Sequence, residues 1–108
     1  RAVRAVRDGA TDRTNLARAV RFTLEELAAR HPGATCEVRV PPFAVIQCLD
    51  GPRHTRGTPP NVVETDAATW LALATGTLSW ARAVEDGALR PSGERSDLSA
   101  YLPLLDST

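Results

Sequence analysis

DAATWLALATGTLSWARAVEDGALRPSG, residues 66–93, spells two short capped helices followed by a strand. Asp66 caps the first helix by accepting from backbone N–H groups that have no carbonyl four residues back. Gly76 stops it. Ser79 caps the second, and Gly87 supplies the left-handed residue on which its last carbonyls close. Trp70, Leu71, Leu73, Leu78, Trp80 and Val84 form the apolar faces of the pair. None of these side chains is reactive, so the stretch describes packing and not catalysis.

The same order of features has a likeness among known proteins: an acidic cap, an apolar helix stopped by glycine, a second short helix, another glycine, then the strand LRPSG. With HTRGTPPNVVETD, His54 to Asp66, leading into the helix pair, the chain resembles the sterol carrier protein family, closest to its bacterial orthologue branch. The resemblance runs from about Leu16 to Leu105.

Upstream, Leu16, Val20, Leu24 and Leu27 recur at four- and three-residue intervals with Arg18, Glu25 and Arg30 opposite. That spacing predicts a helix from about Thr14, ended by Pro32 and Gly33, with His31 in its last turn. Residues 1–11, with Arg1, Arg4 and Arg7, read as a lead-in segment facing water. Cys36 to Val40 and Ala44 to Leu49 alternate as strands. A hairpin turning at Pro42 pairs Val38 with Ile46 and Cys36 with Cys48 on the inner face. Asp50 and Gly51 turn the chain. Residues 52–60 have room for at most a short edge strand around His54 to Arg56, Asn61 to Thr65 reads as a strand, and Ala88 to Pro91 as another. Ser96 is expected to cap a terminal helix bearing Leu98, Tyr101, Leu102 and Leu105.

Composition narrows function by exclusion. The 108 residues suit one domain, and 43 % hydrophobic content suffices for one core. Thirteen arginines, with no lysine, balance thirteen acidic residues, so no net field steers the protein onto nucleic acid or an anionic membrane. With neither a spanning apolar run nor a signal-like start, a cytoplasmic protein without integral membrane association is expected. Two cysteines and two histidines, none at close ligand spacing, argue against a metal. Cys36 and Cys48 are expected as reduced, buried thiols. A Cys48–His54 nucleophile pair lacks a third group to orient the histidine. Glu85 and Asp86 point to different helix faces, so they cannot act as a matched acid and base. No phosphate loop occurs. No catalytic residue, metal or cofactor is expected.

The resemblance implies an α+β fold in which a five-stranded, mostly antiparallel sheet carries helices on one face, with an apolar tunnel between the layers for fatty acyl chains or sterol-like lipids. By position, the tunnel wall would be Val38, Val40, Phe43 and Ile46 on the hairpin, Trp70, Leu73 and Trp80 on the helix pair, and Leu102 and Leu105 on the last helix. Polar head-group contacts would fall to His54 and Arg56, which otherwise bond loop carbonyls or pair with Glu64 or Asp66. Pro103 interrupts the last helix and leaves open whether the tunnel is open or filled by side chains. The family also occurs fused to enzymes, including mycothiol-dependent isomerases and acetyltransferases. The alternative to a non-catalytic lipid carrier is therefore an interaction or accessory module, with a homodimer or a partner protein on the sheet and a vestigial cavity.

Overall fold

Asp12 starts the longest helix: its carboxylate accepts from the Asn15 N–H at 2.9 Å, so α1 spans Arg13–Arg30 and begins slightly before the expected Thr14. A computed structural model describes residues 12–51 and 61–105. The expected lead-in of residues 1–11 and the edge strand around His54 to Arg56 lie outside the described residues. Along α1, Ala19, Val20, Thr23, Leu24 and Leu27 are buried, the stripe that the leucine and valine spacing predicts. His31 caps its end, donating its N–H to the Leu27 carbonyl at 2.9 Å.

The hairpin forms in the expected register. β1 (Cys36–Val40) and β2 (Ala44–Cys48) run antiparallel with Cys36 opposite Cys48 and Val38 opposite Ile46. β3 (Val62–Thr65) takes the other edge of β1, and β4 (Leu89–Ser92) runs antiparallel to β3. Among the described residues the sheet has four strands in the order β2-β1-β3-β4, where five were expected. It is also mixed, because β1 and β3 are parallel. Geometry explains this: Cys48, at the end of β2, lies beside Cys36 at the start of β1, and β3 begins beside Glu37 at that same end.

Alternation then separates the two faces of the sheet. Cys36, Val38, Val40, Cys48, Val63, Thr65 and Leu89 are buried on the inner face. The outer face carries a Glu37–Arg39 ion pair and a Glu64–Arg90 pair at 3.3 Å. α1 packs on β2, and the core lies between the inner face and the helices.

Both predicted caps hold. α2 (Ala67–Thr75) opens with Asp66 accepting from the Thr69 N–H at 2.8 Å and closes on Gly76 at φ 82°, a conformation that glycine adopts without a Cβ penalty. α3 (Trp80–Glu85) opens on Ser79, whose hydroxyl accepts from the Arg82 N–H at 3.2 Å. The buried residue of α3 is Ala83, while Val84 remains 39 % exposed. A six-residue helix lying on β4 has one narrow contact face, and the position after Ala83 points about 100° away from it.

The expected terminal helix does not form. Ser96 donates its hydroxyl to the Gly93 carbonyl at 2.7 Å instead of capping, and among the described residues that follow, the helical piece is a 3-10 turn, Ser99–Tyr101. Pro103 has no N–H to continue a helix. The chain beyond the turn is stitched to α2 instead, with the Leu104 and Leu105 N–H groups donating to the Ala74 carbonyl at 2.9 and 3.0 Å. This occupies one of the acceptors that the end of α2 leaves without an intrahelical partner.

Candidate functional site

The turn from α2 into α3 and the segment after Tyr101 face each other across a groove of ≈ 460 Å³. Leu73, Leu78, Trp80, Leu102 and Pro103 give it apolar walls, with Thr77, Ser79 and Ser99 at its margins. The groove follows from local sequence. Gly76 at its positive φ lets Thr77 and Leu78 fold back, both N–H groups donating to the Ala72 carbonyl at 2.9 and 3.2 Å. That sharp corner leaves Leu78 and Trp80 at the edge of the core, packed against it yet only half-buried. The extended path at Leu102 supplies the opposite wall.

Three of the expected wall residues therefore meet here: Leu73, Trp80 and Leu102. Val38, Val40 and Trp70 are instead fully buried in the core cluster with Leu24 and Leu27. The Trp70 indole N–H donates to the Thr23 hydroxyl at 2.8 Å, and that hydroxyl donates to the Ala19 carbonyl at 2.7 Å. Phe43, Ile46 and Leu105 are partly buried against the core and line neither the groove nor the cleft described below. The Arg13 guanidinium sits 5.2 Å from the Phe43 ring centroid, a cation–π distance. His54 and Arg56 lie outside the described residues. Among the described residues, Glu64 pairs with Arg90 and Asp66 accepts from the Thr69 hydroxyl.

On the other side of the Ser99–Tyr101 turn is a polar cleft of ≈ 670 Å³. Arg30, His31, Thr35, Asp50, Glu94, Arg95, Asp97 and Tyr101 line it, with Pro32 and Leu49. Sequence reasoning did not bring these residues together, because they come from the end of α1, the end of β2 and the loop after β4. One signal was available: Gly33, Gly51 and Gly93 all sit at positive φ and mark chain corners at this end of the sheet. A Cβ on Gly33 would lie 1.8 Å from the Leu49 carbonyl oxygen, so the two corners are in direct contact. The Ser99 N–H, 2.9 Å from the carboxylate, and then its hydroxyl hold the Asp97 carboxyl below its ordinary range.

The thiols of Cys36 and Cys48 are free and buried. The hydrogen bond that Cys48 gives Cys36, reinforced by burial, pushes the Cys48 thiol well up, the opposite of an activated nucleophile. Asp86 is paired with Arg82 at 3.2 Å. Among the described residues no group of three or more His, Cys, Asp or Glu could hold a metal ion, and no helix is long and apolar enough to cross a membrane.

The model of the bacterial SCP ortholog family matches residues 12–104. The chain belongs to that branch of the sterol carrier protein family. No curated protein matches it at a significant level. The matched region includes every described element, so the groove and the cleft are both built within the family domain.

Proposed function

We propose that this SCP ortholog is a non-catalytic lipid carrier whose chain-binding site is the groove between the α2–α3 corner and the Leu102–Pro103 segment. One observation carries the reading: Leu78, Trp80 and Leu102 are half-buried around a concave apolar space, while Val38, Val40 and Trp70 have no exposure. A half-open apolar groove in a family of lipid carriers is matched by an acyl chain, or by the apolar body of a sterol-like lipid. Burying about ten methylenes at about 0.8 kcal/mol each contributes on the order of 8 kcal/mol before association costs, enough for promiscuous micromolar binding. Calorimetric titration with saturated fatty acids of increasing length is the test. Affinity is expected to rise with each added methylene until the groove is full, and native mass spectrometry is expected to find a lipid carried through purification.

The second reading, an interaction or accessory module, draws on a specific observation of its own. Val38, Val40 and Trp70 have no exposure, so side chains fill the space between sheet and helices at those positions. Binding that is independent of chain length, or no binding by the folded protein, favours this reading.

A further inference from the structure

The two cysteines of this chain are cross-strand partners: β1 begins with Cys36, β2 ends with Cys48, and the register of the hairpin sets one opposite the other. Both are buried on the inner face, and both thiols are free. Partners in an antiparallel ladder stand about 4.5–5.5 Å apart at Cα, inside the range of about 4.4–6.8 Å that a disulfide spans. We propose that Cys36 and Cys48 form a reversible modification site, a dithiol that a hydroperoxide oxidises to an intrachain disulfide across the open end of the hairpin. Its chemistry is separate from the lipid groove, which neither cysteine lines.

The thiols have unequal roles. Cys48 donates to Cys36, and the Cys36 thiol lies 3.8 Å from the Glu37 carbonyl. The bond from Cys48 draws the Cys36 thiol below its ordinary range, outweighing burial and the charge of Glu37. Cys36 is therefore the sulfur that loses its proton and reacts first, with Cys48 held protonated beside it as the resolving thiol. Position gives the oxidant its access. Each cysteine is the terminal residue of its strand, and β2 is an outer strand of the sheet among the described residues. The next residue beyond each, Thr35 and Leu49, lines the polar cleft. Strand ends open locally more readily than strand centres, so opening here brings Cys36 to the solvent of the cleft.

Two steps balance the atoms and electrons. The Cys36 thiolate attacks one oxygen of the hydroperoxide. As the S–O bond forms the O–O bond breaks, and the departing oxygen takes the proton that Cys36 released, giving an alcohol or water and a sulfenic acid. The Cys48 sulfur then attacks the Cys36 sulfur; the S–S bond forms, the S–O bond breaks, and hydroxide leaves as water with the Cys48 proton. The two thiols together lose two electrons, which the hydroperoxide gains. Exchange with a small thiol such as glutathione reverses the bond. The Thr35 N–H donates to the Cys48 and Leu49 carbonyls at 3.2 Å each, and the Leu49 N–H donates to the His31 carbonyl at 2.7 Å. These bonds hang from the same two strand ends, so a covalent link there holds one wall of the cleft shut against opening.

The test sets the folded protein against the same chain unfolded in urea, both in glutathione redox buffers, with the disulfide read from the loss of two hydrogen atoms in the intact mass. A bond that suits the native register forms with an equilibrium constant at least about tenfold larger in the folded protein, and peptide mapping places it within one chain. With hydrogen peroxide, Cys48→Ser is expected to accumulate a dimedone-reactive sulfenic acid on Cys36, whereas Cys36→Ser labels about fivefold more slowly or less. Oxidised protein is expected to exchange the Thr35 and Leu49 amide hydrogens at least about threefold more slowly than reduced protein, with Leu104 unchanged. An equilibrium constant no larger in the folded protein than in the unfolded chain overturns the proposal, and so does a bond found between chains. Equal labelling of the two serine variants overturns the assignment of Cys36 as the first sulfur to react, and unaltered amide exchange overturns the tightening of the cleft wall.

Discussion

Two apolar regions of this protein use the same residue types and end in opposite states. Between the sheet and α1, Val38, Val40, Leu24, Leu27 and Trp70 are all sealed from water. At the α2–α3 corner, Leu78, Trp80 and Leu102 stay half-open around a groove of ≈ 460 Å³. The difference is geometric. An 18-residue helix lies along a regular sheet and closes its interface side chain by side chain, as close packing requires. A tight corner beside a proline-bearing segment cannot interdigitate in that way. Stability resides in the first region, and the capacity to bind is assigned to the second.

The largest expected effect lies in the sealed region. Trp70→Ala removes the largest fully buried side chain and orphans the Thr23 contact, and about 3–5 kcal/mol of stability should be lost, read as an early denaturation midpoint or failure to fold. Thr23→Val keeps the shape but leaves the indole N–H without its acceptor. A loss of about 1–3 kcal/mol in urea unfolding is expected, and a change within error would show that the bond linking α1 to α2 contributes little. Leu102→Gln probes the open region and inverts the pattern. Stability should fall by less than about 1 kcal/mol because the side chain is already partly exposed, while affinity for a long-chain fatty acid drops roughly tenfold. If melting temperature and affinity fell together, the contrast between the regions would be broken.

The smallest effect belongs to Asp97, which lines the polar cleft. The folded Asp97 carboxyl is held below its ordinary range by Ser99. Its stabilising contribution is therefore present above the unfolded carboxylate pKa and lost as pH falls through the lower folded value. Asp97→Asn should slightly lower the melting temperature at neutral and alkaline pH, leave values below the folded carboxyl pKa little changed, and so flatten the acid limb. An unaltered acid limb would show that the Ser99 contact does not persist in solution.

Local chemistry was legible wherever one side chain acts on its own backbone or on a neighbour of fixed spacing. Asp66, Gly76 and Ser79 fall where their capping roles require, and the Cys36–Cys48 register follows from a three-residue loop centred on Pro42. Of the expected lipid wall, Leu73, Trp80 and Leu102 share the groove, whereas Val38, Val40 and Trp70 went to the core. Apolar character alone does not tell a residue that fills space from one that borders it. The same limit hid the cleft, whose charged residues sit in three separate stretches that only meet once the strands are paired.

Sequence alone therefore determined the boundaries of the three α-helices and four strands to within a residue or two, the inward face of the hairpin, and membership of the sterol carrier family. Those are set by interactions a few residues long. Only the tertiary structure decided that β3 runs parallel to β1, that the end of the chain is stitched to Ala74 instead of coiling into a helix, and that Tyr101 lines a polar cleft while Leu102 lines an apolar groove. Each of these depends on which distant segment reaches a given hydrogen-bonding group first, and that competition is settled by packing of the whole chain.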